Sequence, residues 1–294
     1  MRRMTWMALI LALVGCLFTT SLAHAHGEKH AQKKGILLVA FGTSVPEAET
    51  AMANIDRKVK AAFPDVEVRW AYTSKIIRHK LAKEEHRDVD SPAEALAKMM
   101  DQDFTDVAVQ SLHTIPGEEY TGLMETAEAF TGMPKGMRHV AVGAPLLYTT
   151  KDVQRVVELL LAHIPAERKK NEAVILMGHG TPHPANIYYP GVQYYVAKKD
   201  PNVFIGTVEG SPELDDVLAE LKARKITKAW LMPFMAVAGD HARNDLAGDE
   251  PDSWKSLLTK AGVTCSVVLK GTGEYDDVVD IWIEHLRRAM ESLN

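Results

Sequence analysis

Residues 174–184 read VILMGHGTPHP, an apolar run that stops at a histidine, His179, held between two glycines. A short unbroken apolar run bounded by turn formers fits a strand buried on both faces of a parallel sheet. In open α/β sheets ligands gather at the carboxyl ends of the strands, and glycines there let the backbone approach what is bound. Two later runs end in the same way. VFIGTVEGSPE carries Glu209 just past apolar residues, and AWLMPFMAVAGDHARND carries His241. Three successive strand ends would thus bring imidazole, carboxylate and imidazole to one crevice, a donor set for a borderline divalent metal with coordination positions left open. Each residue also has a plainer reading. His179 suits a hydrogen-bonded tight turn, Glu209 a helix entry favoured by the helix dipole, and His241 a polar loop. Their shared placement favours a metal-handling enzyme.

Working outward, the chain alternates strands and helices. Apolar residues at three-to-four spacing after Pro46 (Ala48, Met52, Ile55, Val59, Phe63) mark a helix closed by Pro64. Ser91-Pro92 supplies an N-cap followed by a first-turn proline. Strands are expected at 35–44, 66–74, 106–114 and 139–147 in the first half, and at 173–178, 203–208, 228–235 and 263–269 in the second. Helices between them, ending with one over 275–291, predict parallel sheets covered on both faces and connected right-handedly. The halves also echo one another. ILLVAFGTS lies over VILMGHGTP with Phe41 opposite His179, and VQSLHTIPGEE over MPFMAVAGDH with Glu119 opposite His241. An internal duplication would leave a cleft between two α/β domains, a favoured place for ligands. The expected division is an N-terminal domain at 35–147 and a C-terminal domain at 148–294 carrying the metal ligands.

The first residues, MRRMTWMALILALVGCLFTTSLAHA, have a basic start, an apolar middle and a small-x-small end, which predicts a signal peptide over 1–25 and a periplasmic address. Residues 26–34 read as a mobile polar tail. A membrane anchor is disfavoured because Gly15, Cys16, Thr19 and Thr20 interrupt the run; a lipobox at Leu13–Cys16, with Cys16 lipidated, is the minor alternative. Loss of Arg2 and Arg3 with the leader would take the formal charge from -5 to -7. A mildly acidic body without a basic run argues against nucleic acid as the partner. Cys265 would remain alone, so no internal disulfide is expected, and its place in VTCSVVL suits a buried strand.

Candidate chemistry in the first half centres on SLHTIPGEEY. His113 ends a strand facing the same crevice and suits a proton carrier, a ligand-positioning group or a structural residue. Glu118 or Glu119 suits a proton acceptor, although carboxylates are favoured at a helix start in any case. Gly42, Thr43, Ser44 and Thr114, with Arg243, are candidate donors to an anionic ligand. His79 and His86, seven apart on an expected helix, could share a metal or a haem at a subunit contact. His139, His163, His183 and His285 read as surface or capping residues. Exposed apolar positions such as Ile76, Ile77 and Leu81 would suit a homo-oligomer. A GxSxG elbow, a Walker A loop, GxGxxG, HExxH and CxxC are all missing.

GHGTPHPAN, VEGSPELDDVL and PFMAVAGDHARNDLAGDEPDSWKSLL, together with LLVAFGTS and LHTIPGEEY, resemble the anaerobic cobaltochelatase (CbiK) family of class II tetrapyrrole chelatases. The resemblance covers nearly all of the chain after the leader. It implies two flavodoxin-like halves with the active-site cleft between them and ATP-independent insertion of Co(II), with Fe(II) as a further metal, into sirohydrochlorin. On this likeness His179, Glu209 and His241 hold the metal, which is a substrate, no cofactor is needed, and Glu118 or Glu119 assists. The leader departs from the usual cytoplasmic member, so the likeness implies an exported form. The competing reading is a periplasmic metal or haem carrier that reuses the scaffold without turnover.

Overall fold

Strand β1 (Lys34–Ala40) is apolar after its first residue, and Ile36, Leu37, Leu38 and Val39 are all fully buried. Such a strand needs cover on both faces, and the chain supplies it with helices. The computed structural model describes residues 32–294. The expected signal segment, Cys16 and residues 26–31 of the expected tail lie outside that range. Lys33 is already tied in, its amide donating to Thr105 Oγ1 at 3.0 Å, and Lys34 opens β1.

In the first half, α1 (Glu49–Ala62), β2 (Glu67–Tyr72), α2 (Lys75–Glu85), α3 (Pro92–Asp101), β3 (Asp106–Ser111), α4 (Glu118–Gly132) and β4 (His139–Gly143) follow β1. The second half contains α5 (Thr150–Ala162), β5 (Ala173–Gly178), α6 (Tyr188–Lys199), β6 (Val203–Thr207), α7 (Leu214–Ala223), β7 (Lys228–Pro233), α8 (Trp254–Lys260), β8 (Thr264–Val267) and α9 (Asp276–Glu291). The two four-stranded sheets are parallel and share one order, β2-β1-β3-β4 and β6-β5-β7-β8. The expected architecture of two α/β halves, each with a parallel sheet flanked by helices, is therefore present. The N-cap expected at Ser91 is present, and the helix after β4 has one at Thr149. Ser91 with Glu94 and Thr149 with Asp152 form reciprocal capping boxes that satisfy the orphan amides of α3 and α5.

Side-chain alternation along the strands separates three cores. Leu37 and Val39 face α3 and α4, whereas Ala173, Ile175 and Met177 face α7 and α8. The opposite faces, with Ile36 and Leu38 from β1 and Val174 and Leu176 from β5, belong to one apolar cluster shared by both halves. Buried residues of α1, α5, α6 and α9 complete it, among them Ile55, Val156, Val192 and Trp282. Helix α9 comes last in sequence yet packs on β3 and β4 of the first half. His285 fixes that crossing, with Nδ1 3.0 Å from the Ala144 carbonyl and Nε2 3.4 Å from Asp152.

Several expectations are corrected. The paired parts of β4 and β7 stop at Gly143 and Pro233, before the apolar runs do, because Pro145 and Pro233 lack the amide that would continue a ladder. Leu146 and Leu147 are fully buried but lie in a loop after β4. Leu81 is core, not surface, whereas Ile76 is 79% exposed. His86 is not on the face of α2 with His79 but caps the helix end in a left-handed conformation, φ 52°. His285 is buried, not a surface residue. His183 does cap, its Nδ1 accepting from the Ala185 amide. Cys265 lies half-buried in β8, and burial pushes its thiol up to about 11, so it stays protonated near neutrality. Among the described residues no helix is long and apolar enough to cross a membrane.

Candidate functional site

Strand register sets the site. Gly178 pairs with Thr207, so His179 and Val208 leave the sheet side by side, with Glu209 one step on. The His179 carbonyl then accepts the amides of Val208 at 3.0 Å and Glu209 at 2.7 Å, clamping the two turns together. Gly180 lies at φ 81°, and a Cβ there would sit 2.6 Å from the Gly210 nitrogen, so only glycine allows this approach. Asn186 staples the same turns from below, accepting from the Thr181 amide at 3.2 Å and donating to the Ser211 carbonyl at 2.7 Å. Beneath them Tyr189 is buried against the backbone of His179 and Gly180, and burial pushes its hydroxyl up to about 12.

His241 opens a π-helical turn, His241–Leu246, that follows β7. Such turns recur at functional sites because the wider helix re-aims side chains. The His241 and His179 rings meet edge to face, centroids 4.7 Å apart at 88°. The hydrogen bonds of both rings settle which nitrogen is free. His179 Nδ1 lies 3.0 Å from the Gly180 carbonyl, which can only accept, so Nδ1 carries the proton. His241 Nδ1 lies 2.5 Å from Asp245 Oδ2, with the same consequence. Each imidazole therefore keeps its Nε2 lone pair for a ligand, and the Asp245 carboxylate holds the His241 ring in its orientation.

The Glu209 carboxylate comes within 3.9 Å of His179, on the Nδ1 side, and its side chain is 57% exposed. Among the described residues no group of three or more His, Cys, Asp or Glu side chains is already arranged to hold a metal ion. The structure thus brings His179 beside both Glu209 and His241, while a common ligand sphere would require the exposed Glu209 side chain to turn toward the Nε2 side.

From the first half, Phe41 and Thr43 approach His179 and the turn before His241. Val39 pairs with Ser111, so Phe41 and His113 emerge as neighbours past β1 and β3. Phe41 reaches across to His179, ring centroids 6.2 Å apart. Gly42 follows at φ 102°. Thr43 is buried and its hydroxyl accepts from the Val45 amide at 3.1 Å, so it holds the turn; Gly239, from the turn before His241, packs against it. Ser44 Oγ is sealed from solvent without a hydrogen-bond partner. His113 Nδ1 sits 2.9 Å from Ser111 Oγ, its Nε2 is buried and unpartnered, and burial pushes its pKa down to about 4. A base that weak stays neutral near pH 7, which favours a positioning role over proton carriage. The Thr114 carbonyl accepts from Leu147. Glu118 is exposed and Glu119 half-buried at the start of α4. Neither lies within hydrogen-bond or ion-pair reach of His179 or His241 among the described residues. Arg243 donates to the Ala238 carbonyl, bracing the turn before His241.

Sequence reasoning passed over Asp245, Asn186 and Tyr189. The signal for Asp245 was its spacing of four from His241, which is legible only once GDHARND is read as helical; a loop reading hides it.

Two parallel-sheet halves of one order, with paired imidazoles at the strand ends between them, define a protein of chelatase type. The Cobalt chelatase (CbiK) family matches residues 34–291, and the chain belongs to that family and is an enzyme, a chelatase. The sirohydrochlorin cobaltochelatase CbiKC of Nitratidesulfovibrio vulgaris is 47% identical over 262 residues, covering 89% of this chain and 92% of the relative. The sirohydrochlorin cobaltochelatase of Salmonella typhimurium is 34% identical over 259 residues, covering 88% and 97%. Among solved structures, the sirohydrochlorin chelatase SirB of Bacillus subtilis in complex with cobalt superposes with a TM-score of 0.59 at 16% identity, over 89% of this chain and 97% of its own. CbiX, described as the terminal enzyme of sirohaem biosynthesis in denitrifying bacteria, gives 0.54 at 17%, over 87% and 99%. At those identities the likeness is one of fold.

Proposed function

We propose that this chelatase inserts Co(II), and also Fe(II), into sirohydrochlorin, without a nucleotide, and works in the periplasm. The substrate is supported by the two sirohydrochlorin cobaltochelatases among its relatives. The observation that carries the chemistry is the His179–His241 pair, two adjacent imidazoles each with Nδ1 spent on a local acceptor and Nε2 left free.

In the reaction two pyrrole N–H bonds break, two protons leave, and the metal exchanges water for ring nitrogens. His179 and His241 hold the ion through Nε2, and Glu209 swings in as the third donor. Three protein ligands leave positions open for the incoming nitrogens. Affinity order alone does not select Co(II) over Fe(II), so availability decides. Glu118 or Glu119, at the start of α4, takes up a released proton, and His179 accepts another once it gives up the ion. Gly42, Ser44, His113 and Thr114 are assigned to contacts with the ring.

The test is to mix purified protein with free-base sirohydrochlorin and Co(II) under anaerobic conditions and follow the change in the ring's absorbance. Product in molar excess over protein supports the enzyme reading; product that stops at one equivalent supports a carrier and rejects it. Anaerobic Fe(II) in the same assay tests the second metal. Fractionation of cells expressing the full chain tests the address, and recovery in the cytoplasm would overturn it.

A further inference from the structure

β1 and β5 hold the same place in their sheets, second in each strand order. Each is followed by one residue and then by a glycine in the left-handed region, Phe41-Gly42 at φ 102° and His179-Gly180 at φ 81°. The same backbone device thus delivers a side chain to the crevice from both halves. In the second half that side chain is an imidazole with a free lone pair. In the first it is a phenyl ring, 43% exposed although its neighbours Ala40 and Gly42 are buried, and tilted 47° against His179.

A single exposed phenylalanine is ordinary on a protein surface. This one touches an imidazole whose other neighbour is His241, at the point where the two halves face each other. A flat ligand seated against the His179 ring would have this phenyl as its neighbour. Phenyl rings favour stacked or edge-on contact with conjugated faces, and burying the ring against such a face adds binding energy that no metal ion could use.

We propose that Phe41 is a contact residue for the tetrapyrrole, packing on the macrocycle face and setting it over the His179–His241 pair. The inference rests on the chelatase reading above. It divides the labour of the duplicated fold: the second half grips the ion and the first half grips the ring, from equivalent positions. If Phe41 served only to prop His179, its loss would disturb metal binding instead.

Phe41→Ala and Phe41→Leu separate the two roles. Free-base sirohydrochlorin would be titrated without metal by quenching of its fluorescence, Co(II) would be titrated separately by its visible spectrum, and turnover would be measured with both. Phe41→Ala should weaken the ring by roughly ten- to a hundredfold, with KM rising and Co(II) affinity unchanged. Phe41→Leu, which keeps apolar bulk, should recover most of that loss and carries the test should the alanine variant melt early. Unchanged affinity for the ring in Phe41→Ala, or lost Co(II) affinity with ring affinity kept, would overturn the inference. Failure of the wild-type protein to bind or metallate the ring would instead remove the substrate reading on which it depends.

Discussion

His241 and Asp245 form a coupled pair, Nδ1 to Oδ2 at 2.5 Å across one π-helical turn. The carboxylate fixes the imidazole's tautomer and its direction, so Asp245 should matter to metal binding without touching metal. Asp245→Asn is expected to lower Co(II) affinity by about ten- to a hundredfold while leaving the melting temperature nearly unchanged. A Co(II) titration of the variant checks this; wild-type affinity would show the pair to be only a helix contact.

His179→Ala and His241→Ala each remove one free Nε2 from a pair of touching rings. Both side chains are more than a third exposed, so the fold should tolerate the change. Insertion should fall by at least about a hundredfold in each, more than for loss of an outer-shell partner. The absorbance assay with Co(II) and sirohydrochlorin measures it, beside a circular dichroism melt to confirm folding.

Gly180→Ala combines a strained φ with a Cβ 2.6 Å from the Gly210 nitrogen. The turn would have to open, and with it the amide clamp from Glu209 to His179. A loss of about 1–3 kcal/mol in denaturant unfolding is expected, with activity falling further than stability. Full activity in this variant would show that the spacing of the two turns is unimportant.

Acid stability should depend on Asp106, at the foot of β3. Burial raises the pKa of its carboxyl, but hydrogen bonds from Arg138, Thr105 and His139 outweigh that and hold it at about 2. A carboxyl depressed in the folded state adds stability that is complete above its unfolded value near 4 and is lost as pH falls through about 2. Asp106→Asn should therefore destabilise at pH 7 by roughly 2–4 kcal/mol and flatten the pH dependence between about 4 and 2. Urea midpoints across that range would reveal it, and parallel curves for variant and wild type would contradict it.

Much of this architecture is written locally. The run VILMGH, short, apolar and ended by glycine, fits a doubly covered strand, and the Ser91 cap marks a helix start without reference to distant residues. Alternation along β1 already assigns Leu37 and Val39 to a different face from Ile36 and Leu38. The repeat of an apolar strand, one side chain and a glycine at Phe41 and His179 is likewise visible in the letters. These features depend on steric and hydrophobic preferences of neighbouring residues, which a linear chain carries with it.

The partners of those residues depend on the assembled molecule. Nothing in the order of residues says that α9 returns to cover β3 and β4, that Leu81 is sealed in the core, or that His179 finds Phe41 and His241 in different directions. Nor does it say that Glu209 approaches the Nδ1 side of His179, while both Nε2 lone pairs are left for a ligand. Residues far apart in sequence meet only when three cores pack at once, and the direction of a lone pair follows from the acceptor that packing puts beside it. The sequence alone determined the strands, the caps and the candidate ligands; the tertiary structure decided which atoms of those ligands are free, because a tautomer is set by contacts and not by composition.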